Sequence, residues 1–138
     1  MNDYTLLELK PGMEESFSVT VTEDMLQKFL EISGDINPLH TDTKFAYQKG
    51  YPGKVVYGMM TASFYSTLAG VYLPGKHCLL WEVDTKFTVP AFVGDHLEIS
   101  GRITEVNDRF GYIKIKARVK NQKGETVSRA NITAGVKE

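Results

Sequence analysis

Residues 58–69 read GMMTASFYSTLA, a stretch that contains no Lys, Arg, Asp or Glu. The pattern predicts a helix that begins at Gly58, and a helix without a charged face has no side suited to water. We therefore expect other elements to wrap around it. The wider uncharged segment, residues 55–75, has the length of a membrane span, but its three tyrosines, two serines, two threonines, three glycines and proline argue against insertion.

The second half of the chain can supply the wrapping. Four strands are predicted there, at residues 79–89, 95–106, 112–120 and 125–136, with turn-forming residues between them. Alternation is clearest in the third, where Ile113 and Ile115 share one face with Ala117 and Val119 while lysines and an arginine occupy the other. Such a sheet has one dry face and one wet face.

The first half adds one strand and a set of short helices. Residues 16–22 alternate as a strand does, and Thr22 can cap a helix that ends near Gly34. The Asn-Pro pair at residues 37–38 then breaks regular structure, and residues 41–47 could form a short helix. The expected class is α+β, an antiparallel sheet of about five strands wrapped around a buried central helix.

Length, charge and cysteine content narrow the function classes. A chain of 138 residues suits one domain, which we place at residues 1–138. A net charge of -1 argues against a nucleic-acid surface. The lone Cys78 can form no internal disulfide, and it has no neighbouring cysteine to build a zinc site. The first fifteen residues carry five charges instead of an apolar leader, so a cytoplasmic location is expected.

Three stretches resemble one family. Residues 33–40, SGDINPLH, resemble the Gly-Asp-x-Asn-Pro-x-His signature of MaoC-like, (R)-specific enoyl-CoA hydratases, with the spacing matched throughout. Residues 55–59, VVYGM, resemble the family's entry into its central helix, and residues 87–95, FTVPAFVGD, resemble its Phe-x-x-Pro-x-x-x-Gly-Asp turn. The resemblance covers roughly residues 15–136 and implies the hot-dog fold, a dimer with a continuous sheet, and hydration of enoyl thioesters or the reverse dehydration.

The resemblance implies that Asp35 and His40 share the acid and base work on one water. Each residue alone has a purely structural interpretation, Asp35 in an Asx turn and His40 as a hydrogen-bonded histidine at a helix start. Their joint occurrence around Asn37 and Pro38 favours catalysis. Gly58, at the start of the central helix, could offer backbone N–H groups to the oxyanion, or could be a packing glycine.

Five further residues complete the candidate site. Asn37 is expected to support the turn, and Ser66 corresponds to a serine that the family associates with its active site, although plain packing explains it equally well. Met59 and Met60 belong to a stripe that is mainly core and in part could line an acyl tunnel. Tyr57 stands where many family members have histidine, and a phenol cannot carry a proton near neutral pH as imidazole does.

No cofactor or metal is expected; CoA or phosphopantetheine would enter as part of the thioester substrate. Two rival functions remain. A hot-dog thioesterase typically needs an acidic residue on or beside the central helix, and residues 55–75 contain none. A non-catalytic acyl-binding or assembly subunit would retain the fold without turnover, and Tyr57 keeps that alternative open.

Overall fold

The computed structural model describes all 138 residues. Five strands form one antiparallel sheet in the order β1-β3-β4-β5-β2. Their bounds are Glu14–Thr20 (β1), Cys78–Phe87 (β2), His96–Asn107 (β3), Tyr112–Lys120 (β4) and Thr126–Val136 (β5). The predicted strands are therefore all present, with ends displaced by at most two residues. β1 stops at Thr20 because Thr22 is already the N-cap of the following helix.

Four α-helices precede the second strand. They are Glu23–Ser33 (α1), Pro38–Thr41 (α2), Thr43–Gln48 (α3) and Gly58–Thr67 (α4), the last of which continues into a π-helical turn at Leu68–Tyr72. The caps of α1 are those expected from the sequence. The Thr22 hydroxyl accepts a hydrogen bond from the Met25 N–H, and Gly34 closes the helix in the left-handed region at φ 70°.

The segment after α1 differs from the prediction. One short helix was expected at residues 41–47, and the structure contains two, because Asp42 is extended and caps α3 through its side chain. The Asn-Pro pair does not exclude helix either: Pro38 occupies the first turn of α2, where its missing N–H costs nothing, and Asn37 caps it.

α4 packs on one face of the sheet, where isoleucines of three strands are at most 1% exposed. The Tyr65 hydroxyl of α4 donates a hydrogen bond to the Ser128 hydroxyl of β5 at 2.8 Å, and Leu68 lies against Gly101 of β3. Tyr65 and Leu68 belong to one hydrophobic cluster of 22 buried residues. The sheet thus fixes the position and direction of α4.

The prediction that α4 has no face toward water is wrong for the single chain. Met59 is 64% exposed, and Ser63 and Ser66 on the same helix are exposed as well. The sheet covers only one side of the helix, and nothing in one chain covers the other. No helix has both the length and the apolar character needed to cross a membrane.

Candidate active site

The candidate site lies where the turn after α1 meets the N-terminus of α4. The segment Val55–Tyr57 connects the two. The Val55 N–H donates to the Leu39 carbonyl at 3.0 Å, and the Val56 N–H donates to the Ala91 carbonyl at 2.8 Å. This extended segment is therefore tied to the turn on one side and to the loop after β2 on the other before it enters α4.

Asp35 is exposed and its carboxylate is only partly used by the chain. Its Oδ1 accepts a hydrogen bond from the Asn37 N–H at 3.1 Å, which is the Asx turn of the structural interpretation. No side chain or backbone donor within hydrogen-bond distance engages Oδ2. One oxygen shapes the turn, and the other stays free to bind a ligand or water.

The half-buried His40 has a defined tautomer. Its Nδ1 lies 2.6 Å from the Val55 carbonyl oxygen, and because a carbonyl can only accept, Nδ1 must carry the hydrogen. In the neutral ring Nε2 is then the unprotonated nitrogen. A histidine held in this way presents a base at Nε2 to whatever lies beyond it.

Tyr57 contacts both residues. Its ring stacks on the His40 ring with centroids 4.3 Å apart, and its hydroxyl donates to the Asp35 carbonyl at 2.8 Å. The side chain is 2% exposed. Burial first, and the Asp35 carboxylate second, raise the pKa of Tyr57 above its usual value, so the phenol remains a hydrogen-bond donor at neutral pH.

The N-terminus of α4 offers unused donors. Tyr57 is the N-cap residue, and its carbonyl accepts the Met60 and Thr61 N–H groups. The N–H groups of Gly58 and Met59 donate to nothing in the chain. Gly58 is also a packing glycine, because a Cβ there would lie 3.3 Å from the Phe87 ring. Both interpretations of Gly58 therefore have structural support.

The remaining candidates are arranged less directly. Asn37 caps α2 by accepting the Leu39 N–H at 2.9 Å, so it holds the turn. Met60 is 4% exposed and lies in the core, while Met59 points outward. Ser66 is exposed on α4, about 12 Å along the axis from Gly58, and makes no side-chain hydrogen bond. Tyr57 thus joins Asp35 and His40, and Gly58 follows it in the chain, whereas Ser66 contacts none of these residues through a side-chain hydrogen bond.

A depression of about 130 Å³ opens beside His40. Its floor includes Tyr57 and Leu30, and an ion pair borders it, with Lys54 Nζ 2.6 Å from Glu23 Oε2. The lining residues are Glu23, Leu26, Gln27, Leu30, His40, Thr41, Lys54 and Tyr57. Asp35 and Gly58 do not line this depression, so it is not by itself the complete site.

Sequence reasoning missed two contributors. The Val55 carbonyl fixes the His40 tautomer, and no side-chain pattern can reveal the aim of a backbone carbonyl. Phe87 covers Gly58, although the sequence predicted no site residue in the motif that contains it. The aromatic residue of that motif was the available signal. The other histidines lie elsewhere, with His77 bonded to Asp3 and His96 to Thr20.

The sheet around one helix and the Asp-x-Asn-Pro-x-His turn at that helix's N-terminus define a hot-dog domain of the hydratase type. Residues 8–125 match the family model described as the MaoC like domain. Because that match covers most of the chain, the protein belongs to the MaoC-like dehydratase family.

Individual relatives agree with this assignment. The chain is similar to an (R)-specific enoyl-CoA hydratase of Aeromonas caviae, with 33% identity over 116 residues, 84% of this chain and 87% of that one. It is also similar to a 3-hydroxybutyryl-CoA dehydratase of Methylorubrum extorquens, with 27% identity over 72% of this chain and 63% of the relative. The unliganded R-hydratase of Pseudomonas aeruginosa superposes with a TM-score of 0.92 at 26% identity, covering 99% of this chain and 87% of that one.

Proposed function

We propose that this protein is a hydro-lyase that adds water to trans-2-enoyl thioesters to give (R)-3-hydroxyacyl thioesters, or removes water in the reverse direction. The observation that carries the proposal is the joint placement of Asp35 and His40 on one turn beside free N–H groups of α4. The similarity to a relative with the (R)-specific hydratase name supports the reaction and its stereochemistry.

The dyad would activate one water. Nε2 of His40 and Oδ2 of Asp35 are the two acceptors that the chain leaves unused. In hydration the water oxygen bonds to C3, the C2–C3 π bond breaks, one water proton passes to the dyad, and the dyad delivers a proton to C2. Since the two groups act as a unit, we assign the transferred protons to the pair.

The N-terminus of α4 would stabilise the negative charge that develops on the thioester oxygen. The free N–H groups of Gly58 and Met59 point out of the first turn of a ten-residue helix, whose dipole favours an anion there. Fixed backbone donors need no reorganisation when the charge forms. In this scheme Asn37 supports the turn, Met59 lies near the acyl group, and Ser66 acts away from the oxyanion.

The reaction as written requires no cofactor. CoA or a carrier-linked phosphopantetheine would enter and leave as part of the substrate. We propose that this activity is cytoplasmic.

A second copy of the chain would complete the assembly. β2 is an edge strand, and it exposes Leu79, Leu80, Trp81 and Phe87. The other edge, β1, exposes Glu, Ser and Thr side chains instead. Exposed apolar edges are rare in monomers, because unpaired strands attract partners. We propose that β2 pairs with its counterpart in a homodimer and that the partner also shields the open side of α4.

Turnover of a trans-2-enoyl-CoA tests the proposed function against its rivals. Hydration removes the conjugated double bond and leaves the thioester intact, which ultraviolet absorbance follows directly. Hydrolysis would release a free thiol and would establish the thioesterase alternative. Binding without either change would establish the non-catalytic alternative.

A further inference from the structure

Tyr57 touches three parts of the candidate site at once. Its hydroxyl reaches Asp35, its ring covers His40, and its carbonyl caps the first turn of α4. A second ring, that of Phe29 in α1, packs against the Tyr57 ring, with the two ring centroids 4.9 Å apart. The side chain is thus enclosed between α1, the turn and α4.

The hydrogen bond to Asp35 matters because the rest of that segment is held only locally. Asp35 N–H donates to the Ser33 hydroxyl, and Asp35 Oδ1 accepts from Asn37 N–H, each two residues away. The Tyr57 hydroxyl is the only group distant in sequence that bonds to Asp35. Residues 33–38 are all exposed. Without that bond, no hydrogen bond of Asp35 would fix its distance from α4.

The contact with His40 is of a different kind. Nδ1 is already fixed by Val55, so the Tyr57 ring adds a plane that limits rotation of the imidazole about its side-chain bonds. A phenylalanine ring could provide the same plane. The two contacts of Tyr57 can therefore be separated by experiment, since removal of the hydroxyl spares the stacking.

We infer that Tyr57 is a positioning residue that holds the Asp35 backbone, and through it the carboxylate, in one fixed arrangement with the His40 ring and the N-terminus of α4. At 2% exposure it presents almost no surface to a substrate, so it acts mainly through the groups it contacts. This inference rests on the proposed function for its kinetic consequence, but its structural part is independent of any activity.

Tyr57→Phe tests the inference, with Tyr47→Phe as the matched control. Tyr47 is 59% exposed on α3 and makes no hydrogen bond through its side chain. Because small displacements of reacting groups are costly, Tyr57→Phe should lower kcat by about 10- to 100-fold with KM nearly unchanged. Tyr47→Phe should match the unaltered protein in both constants.

Combination with Asp35→Asn distinguishes positioning from general damage. If Tyr57 acts through the Asp35 carboxylate, Tyr57→Phe should cost less than about 3-fold once that carboxylate is gone. A full additional loss in the Asp35→Asn background would overturn the inference. So would unchanged kcat in the single variant.

A readout that needs no turnover separates this inference from the proposed function. Backbone ¹⁵N order parameters of residues 35–37 should fall in Tyr57→Phe from the rigid value of about 0.85 toward about 0.6, while Tyr47→Phe leaves them unchanged. Unaltered order parameters would overturn the positioning role even if the protein is an active hydratase. Lowered order parameters in a protein without hydratase activity would uphold the positioning role and refute the function.

Discussion

At the scale of single residues, Asp35 and His40 each have one atom that stabilises the structure and another that is free for chemistry. One carboxylate oxygen of Asp35 accepts the hydrogen bond of the Asx turn, and the other is free. His40 uses Nδ1 to anchor itself to Val55 and keeps Nε2 free. The anchoring bonds orient the free atoms, so each structural contact serves the proposed chemistry.

Asp35→Asn and His40→Gln should each lower kcat by about 10²–10⁴, because each removes a positioned proton carrier, equivalent to roughly 3–5 kcal/mol of barrier. Asparagine can still accept the Asn37 N–H, so the turn should persist. Unfolding midpoints measured by circular dichroism should hardly move.

Asp42→Asn is the matched control, since Asp42 caps α3 by the same kind of hydrogen bond without a place in the site. It should leave kcat unchanged. The Asp35→Asn/His40→Gln double variant should be far less impaired than the product of the single effects, because both groups act on one water. Near-normal turnover in both single variants would reduce the motif to a structural turn.

The SGDINPLH stretch was sufficient to propose Asp35, Asn37 and His40 as candidates, because the residues that resemble the family signature are consecutive. It was not sufficient for the contact of Tyr57 with Asp35, which joins residues 22 positions apart. From the sequence Tyr57 looked like a departure from the usual histidine. Only the fold reveals that its hydroxyl reaches the backbone of the turn.

At the scale of elements, the sequence predicted the features that depend on neighbouring residues, such as strand alternation and helix caps. The alternation of β4 and the Thr22 and Gly34 caps of α1 appear as expected. The boundary between α2 and α3 was missed, because Asp42 satisfies the Phe45 N–H and so favours a new helix start over continuation of the old one. The residues of the sheet that contact α4 are distant from it in sequence. No local pattern could therefore predict which residues meet.

Gly101→Ala tests that contact. A Cβ at Gly101 would lie 2.7 Å from the Leu68 side chain and 2.9 Å from that of Ile115, both in the core. Neither neighbour has room to withdraw, so the variant should lose about 1–3 kcal/mol of unfolding free energy in a urea titration.

Gly53→Ala is the control, because its Cβ would meet nothing within 4 Å and its backbone is not left-handed. It should change the unfolding free energy by no more than about 0.5 kcal/mol. Equal effects of the two substitutions would show that close packing of the π turn on β3 does not hold α4 in place.

At the scale of the whole molecule, the open side of α4 carries no charged side chain. The uncharged sequence of α4 indicated that the helix must be enclosed, and one chain encloses only the side that faces the sheet. The uncovered side of α4 lies beside the exposed apolar edge of β2. Sequence patterns within one chain cannot say whether the same chain or a second copy provides such a cover.

Leu79→Lys should shift the protein toward monomer, because Leu79 is 51% exposed on the β2 edge and a lysine there opposes strand pairing. Ser18→Lys, on the opposite edge strand β1, should leave the dimer intact. Sedimentation equilibrium at micromolar concentration measures both. A monomeric unaltered protein, or dissociation by Ser18→Lys instead, would contradict a dimer through β2.

The (R)-specific hydro-lyase activity is tested most directly by incubating the unaltered protein with each enantiomer of a 3-hydroxyacyl-CoA. We expect the (R) enantiomer to be dehydrated, so that absorbance rises as the conjugated enoyl thioester forms. We expect no dehydration of the (S) enantiomer. The reverse reaction from trans-2-enoyl-CoA should give (R) product by chiral chromatography. Preferential turnover of the (S) enantiomer, or conversion of neither, would contradict the claim that this protein is an (R)-specific hydro-lyase.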